Sequence, residues 1–166
     1  MKFIGGTILI TTGFLVGYFF YEKYTIKINF FTQYIEFITF IKNSILCYSS
    51  PLKTILLGYK SKNPLKKYIE DCVLFLNESS FSRAWGKSFE KNQNSVNLSP
   101  EEKNLITGFG RQLGTSDSVS QAKYCEQQIE MIKPYLKKAV REKSEKGKLP
   151  IVLGAGIGIA VTILMV

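Results

Sequence analysis

Hydrophobic positions are unevenly placed along the 166-residue chain. Phe3 to Tyr21 is a run of 19 residues without a charge, and Leu149 to Val166 is a second run of 18. A helix rises about 1.5 Å per residue, so either run can just cross a hydrocarbon layer of about 30 Å. Between them the pattern changes to helical periodicity. In residues 26–46, Phe30, Tyr34, Phe37, Ile38, Ile41 and Ile45 fall on one helical face, with Asn29, Gln33, Glu36 and Asn43 on the other. The β-branched and aromatic content of this stretch favours strand on propensity alone, but the period is that of a helix continuing from the first apolar run.

Capping signals divide the rest. Ser50-Pro51 predicts a short helix to Tyr59, and Asn63-Pro64 opens one with Leu65, Tyr68, Ile69, Cys72, Val73 and Leu76 on a stripe. Ser82 is read as the start of a short helix carrying Ala84, Trp85 and Phe89. Ser99-Pro-Glu-Glu102 combines an N-cap, proline in the first turn and a capping-box glutamate. That helix is expected to reach Leu113 and end at Gly114. Asp117 caps a last helix to Lys146, with Ala122, Cys125, Ile129, Ile132, Leu136 and Ala139 spaced 3, 4, 3, 4, 3 as a heptad seam and Pro134 as its expected kink. The expectation is an all-α protein: a helical bundle of about five to six helices over 22–148, flanked by transmembrane helices at 1–21 and 149–166.

Charge orients this arrangement. Lys2 is the only one of the 22 Lys and Arg outside residues 22–148, and all 13 Asp and Glu lie within them. Lys23 and Lys27 follow the first run, and Lys143, Lys146 and Lys148 precede the second, so the positive-inside rule places the middle in the cytoplasm and both ends outside. A cleaved signal peptide is disfavoured, since no clear small-x-small site precedes Phe19-Phe20-Tyr21. Gly13-x-x-x-Gly17 and Gly154-x-x-x-Gly158 give each run a face on which another helix backbone can approach closely, or are ordinary glycine content of a membrane helix. Basic residues interleave with acids, as in Arg141-Glu142-Lys143-Ser144-Glu145-Lys146, which argues against nucleic acid and suits flanks near anionic lipid.

Candidate chemistry is sparse. The chain has no histidine, which removes His-based nucleophile pairs, acid–base work and metal sites. Cys47, Cys72 and Cys125 are too scattered for a disulfide framework or structural zinc, and read as small buried hydrophobes in a reducing compartment. Adjacent carboxylates occur only at Glu70-Asp71 and Glu101-Glu102, both readable as helix-surface or first-turn charges. No enzyme, cofactor or metal is expected.

The pattern Phe109-Gly-x-x-Leu-Gly-x-x-Asp-x-x-x-Gln121, followed by a long charged helix and an apolar C-terminal run, resembles the stage III sporulation protein AB family. Tyr48-x-x-Pro51-Leu52 and the Ala84-Trp85 helix match it too, with Ser49 standing where the family commonly has glycine. The resemblance implies an endospore-forming bacterium and a role in the channel complex of the mother-cell membrane around the forespore. It implies likeness to the inner-membrane platform proteins of type II secretion and type IV pilus systems. Expected partners are a cytoplasmic secretion-type ATPase (stage III sporulation protein AA-like), other membrane proteins of the operon, membrane lipid and a second copy of the chain. Leu113, Gly114, Asp117 and Gln121 then read as a junction that sets the angle between two helices, or as a surface the ATPase contacts. Trp85 reads as a core or interface anchor. The competing function is that of a basic helical protein that binds or remodels anionic membrane surfaces.

Overall fold

The computed structural model describes residues 2–48, 51–146 and Gly156, with side chains described at only some positions before Tyr21. Six helices follow in order: α1 (Lys2–Tyr48), α2 (Leu52–Gly58), α3 (Leu65–Phe75), α4 (Phe81–Lys91), α5 (Pro100–Gln112) and α6 (Ser118–Lys146). No strand occurs among the described residues, so the fold is all-α. Two compact units are distinguished: Asn29–Leu136, and a unit of Met1–Ile28 with Lys137–Val166.

Among the described residues, no helix is long and apolar enough to cross a membrane. The second expected span lies outside the described residues except for Gly156, and so do Gly154 and Gly158. Gly13 and Gly17 sit within the backbone of α1, but their surroundings lie outside the described side chains. In the end unit, the Lys143 ammonium sits 4.4 Å from the centre of the Tyr21 ring, a cation–π contact between α6 and α1.

The core of Asn29–Leu136 is aromatic. On α1, Phe30, Tyr34, Phe37, Ile38 and Ile41 are fully buried and Ile45 nearly so, while Asn29, Glu36 and Asn43 are exposed. The period of 3.6 thus overrides strand propensity here. Phe31, adjacent to this stripe, is buried as well and packs near Tyr135 of α6. α4 packs against both α3 and α5. It presents Trp85 to Phe37 at 5.7 Å and to Tyr34 at 6.3 Å between ring centres, both stacked, and Phe89 to Tyr68 of α3 at 4.5 Å.

Several boundaries differ from the sequence expectation. Ser80, not Ser82, is the residue before α4; both serines fit a helix start, and Phe81 must lie inside the helix to reach the core. α2 and α3 are preceded by Pro51 and Pro64 with no side-chain cap, and the Asn63 carbonyl instead accepts from the Gln33 side-chain amide at 2.9 Å. Ser50 lies outside the described residues. α5 stops at Gln112, because Leu113 turns extended. Of the stripe expected for α3, Val73 and Leu76, the residue just past the helix, are only half-buried, and Asp71 takes a buried place. On α6 the seam positions Ala122, Cys125, Ile132 and Ala139 are buried as expected, but Ile129 and Leu136 are only half-buried and Gln128, 1% exposed, takes a buried place beside the seam. Its amide is satisfied there by donating to the Leu105 carbonyl at 3.0 Å. α6 runs through Pro134 as one helix.

The cysteines also divide. Cys72 and Cys125 are fully buried, but Cys47 is exposed, contrary to the expectation of three buried thiols. Burial pushes the Cys72 thiol up to about 12; burial likewise raises Cys125 to about 11, with Lys42 acting against it. Since the thiolate is the nucleophile, maleimide at mildly alkaline pH is expected to label the folded chain once, at Cys47, and all three cysteines only after unfolding. Equally fast labelling of Cys72 or Cys125 in the folded chain would contradict their placement.

Candidate functional site

The sequence points to the segment from Phe109 to Gln121, where α5 ends and α6 begins. α5 starts on a complete capping box: the Ser99 hydroxyl accepts from the Glu102 backbone N–H at 3.3 Å, and the Ser99 N–H donates to the Glu102 carboxylate at 2.7 Å. This fixes where the helix begins, and therefore which residues it buries at its far end. Those are Ile106, Phe109 and Gly110.

Gly110 is where α4 meets α5. A Cβ built there would lie 2.7 Å from Trp85 Cδ1 and 2.9 Å from both Cβ and Cγ. The indole occupies the space a side chain would need, and its Nε1–H donates to the Ile106 carbonyl at 2.8 Å. Trp85 is fully buried, as is its neighbour Ala84. Nothing local in the motif Phe109–Gln121 assigns Gly110 this role; its one signal in the sequence is a glycine inside a helix.

Beyond Gln112 the chain turns at Gly114, whose φ of +86° lies in the left-handed region that glycine adopts freely. A Cβ at Gly114 would also come within 3.1 Å of Leu52 Cδ1, at the first residue of α2. Leu113 is buried, Leu52 half-buried and Pro51 exposed; Tyr48 ends α1, with its side chain outside the described ones. Two motif parts distant in sequence, Pro51-Leu52 and Ala84-Trp85, thus meet the Phe109–Gln121 segment, one at Gly114 and the other at Gly110.

Asp117 then opens α6. Its Oδ1 accepts from the backbone N–H groups of Val119 and Ser120, both at 3.0 Å. Gln121, one turn on, closes the corner: its Oε1 accepts from the Gly114 N–H at 3.0 Å, and its Nε2 donates to the Ser116 carbonyl. Both ends of one amide therefore hold the loop, and Leu113, Gly114, Asp117 and Gln121 form one local unit. Asp117 and Gly114 are exposed, so the corner is also an accessible surface.

Hydrogen bonds from Ser120 hold the Asp117 carboxyl below its ordinary range. The folded state thus binds this proton more weakly than the unfolded chain, whose aspartates titrate near about pH 3.9. The contribution is complete above that pH and is lost as pH falls through the lower folded value. Asp117→Ala is expected to lower the melting temperature of the full chain by a few degrees at neutral pH. Asp117→Asn, still a good N-cap, is expected to keep the neutral value and to remove this residue's part of the loss on acidification. An unchanged melting temperature for Asp117→Ala would contradict the capping role.

A second polar cluster ties α3 to α4. Asp71 Oδ1 accepts from Lys91 Nζ and Oδ2 from the Asn92 side-chain amide, each at 2.6 Å. Burial raises the Asp71 carboxyl, but the hydrogen bonds from Lys91 and Asn92 together with the Lys91 charge outweigh it, and the net shift is downward. Glu70, its sequence neighbour, pairs with Lys66 on the helix surface. Among the described residues no group of three or more Cys, Asp or Glu side chains could hold a metal ion.

Fold and site together define a small all-α bundle whose last two helices are joined at a fixed corner. The chain belongs to the stage III sporulation protein AB family, whose model matches residues 2–166. A solved structure of "Stage III sporulation protein AB (SpoIIIAB)" is similar with a TM-score of 0.62 and 19% identity, covering 72% of this chain and 98% of that one. At this identity the likeness bears on the fold. No curated protein matches.

Proposed function

We propose that the chain is a non-catalytic platform component of the sporulation channel complex. In this reading Phe3–Tyr21 and Leu149–Val166 are its membrane spans in the mother-cell membrane around the forespore. The helical domain lies in the cytoplasm and both ends lie outside. It docks a cytoplasmic secretion-type ATPase and other membrane proteins of the same operon. The family match over residues 2–166, which includes both apolar runs, carries this reading. The distribution of charge supports the orientation, and the fixed α5–α6 corner supports a docking scaffold.

The test is retention of the operon's ATPase by the immobilised full chain in detergent, at low and high salt. Specific retention supports the platform reading; no retention at either salt concentration counts against ATPase docking. A second reading, binding to anionic membrane surfaces, is favoured by the exposed cations Lys137, Lys138 and Arg141 on α6. Salt-sensitive binding to anionic vesicles without any protein partner would support it.

A further inference from the structure

Between α4 and α5 lies a cleft of about 280 Å³, distinct from the corner at Gly114. Its apolar lining comes from Tyr68, Phe89 and Leu98, all largely withdrawn from solvent. Gly86 of α4 also lines it, and a Cβ built there would meet nothing within 4 Å. Glycine within a helix costs about 0.8–1.0 kcal/mol relative to alanine. At Gly110 the indole of Trp85 explains that cost, but among the described residues none comes close enough to require glycine at Gly86. An open glycine on a cleft wall lets a second backbone come close.

The α5 wall is cationic. Lys103 and Arg111 both line the cleft, with Thr107 midway between them on the same helix face. Eight residues at 1.5 Å each put the two charges about 12 Å apart along the axis. Neither takes part in an ion pair among the described residues. The α4 wall carries Glu90, so the charge is asymmetric across the cleft. The wider cleft between α2 and α3 differs, since its acids Glu70 and Asp71 are already paired with Lys66 and Lys91.

We propose that the α4–α5 cleft receives an acidic amphipathic helix of another protein. One large apolar side chain of that helix would enter over Phe89 and Leu98, its backbone would pass close to Gly86, and two carboxylates two turns apart would pair with Lys103 and Arg111. Helix-in-groove recognition uses this combination of apolar anchor and flanking charge. A second copy of this chain is a poor occupant. It carries a net charge of +9, and three of the four acids of its α6, Glu126, Glu130 and Glu145, are held by Lys42, Lys133 and Arg141. Inorganic phosphate could use the cations but gains nothing from the apolar lining.

The proposal goes beyond the platform reading and stands without it. It is tested on the full chain in detergent with three labelled peptides of about 18 residues, or five helical turns. One has a leucine stripe with glutamates two turns apart, one has lysines in place of the glutamates, and one has serines in place of the leucines. Fluorescence anisotropy should show binding of the first alone, weakened by salt. Lys103→Glu and Arg111→Glu should each weaken it by about fivefold or more, as charge reversal replaces attraction by repulsion. Gly86→Leu should abolish binding without lowering the melting temperature, because a Cβ there meets nothing within 4 Å and leucine returns the helix propensity that glycine gives up. Equal binding of the lysine peptide, undiminished binding by Gly86→Leu, or no binding of the acidic peptide up to millimolar concentration would each overturn the proposal. Competition by inorganic phosphate equal to that by unlabelled acidic peptide would also overturn it, reducing the cleft to an anion site.

Discussion

Trp85→Ala is expected to destabilise the bundle by about 3–5 kcal/mol, the range for truncating a large buried aromatic. Trp85 is fully buried. Its ring neighbours come from three helices: Tyr34 and Phe37 on α1, Phe81 and Phe89 on α4, and Phe109 on α5. A cavity here has rigid rings as its walls, and rings held by their own packing collapse poorly into a void. A domain of this size has only about 5–15 kcal/mol to lose, so the variant sits near the threshold of folding. Trp85→Phe restores most of the volume but not the hydrogen bond to the Ile106 carbonyl, and should cost far less. Urea unfolding followed by circular dichroism decides the matter. A Trp85→Ala midpoint equal to that of the unaltered chain would show that the indole is not the centre of the core.

Gly110→Val is expected to cost about 3 kcal/mol or more. Overpacking typically costs about 1–3 kcal/mol, and a β-branched residue forfeits most of the helix propensity that replacing glycine would otherwise return. Of the three nearest atoms, Trp85 Cβ cannot be moved by any rotation of the side chain, and Cγ and Cδ1 belong to a fully buried indole held by its ring neighbours, so relief requires α4 and α5 to move apart. Gly110→Ala should show the same effect at the lower end of the range. Combining it with Trp85→Ala removes the two ring contacts but leaves Trp85 Cβ, 2.9 Å from the added methyl. The penalty should then shrink without vanishing, giving a coupling of about 0.5–3 kcal/mol in a double-mutant cycle. Simple additivity of the two changes would show that they do not share a contact.

The parts of this fold that could be read from the sequence are those set by local rules. The stripe on α1, the capping box at Ser99 and the start of α6 after Asp117 each depend on residues within about two turns, and each is found in the structure. The details that escaped the reading depend on other helices. Ser80 and Ser82 are equivalent as local start signals, and only the need to bury Phe81 separates them. Gln128 takes a core place because the Leu105 carbonyl of α5 is there to accept its amide, a fact absent from the periodicity of α6. Gly110 needs Trp85, a residue on another helix, to explain it.

The site shows the same division. Gly114 as a turn and Asp117 as a cap follow from residue type, and Gln121 from its spacing to them. That Leu52 would press against a side chain at Gly114 follows from no local rule. The cleft with Lys103, Arg111 and Gly86 was not anticipated, because its two walls come together only in the folded bundle.

The chain contains a single tryptophan, and it lies at the centre of the aromatic cluster. Nature has therefore placed one optical reporter where α1, α4 and α5 converge. Its emission should be shifted to short wavelength in the folded chain, and the Tyr34 ring stacked 6.3 Å away should feed it excitation energy. Loosening of the helices would move that emission to longer wavelength and diminish the transfer. Intrinsic fluorescence can thus follow the Gly110, Asp117 and Gly86 variants without any attached dye, and would register a rearrangement of the bundle when a partner docks.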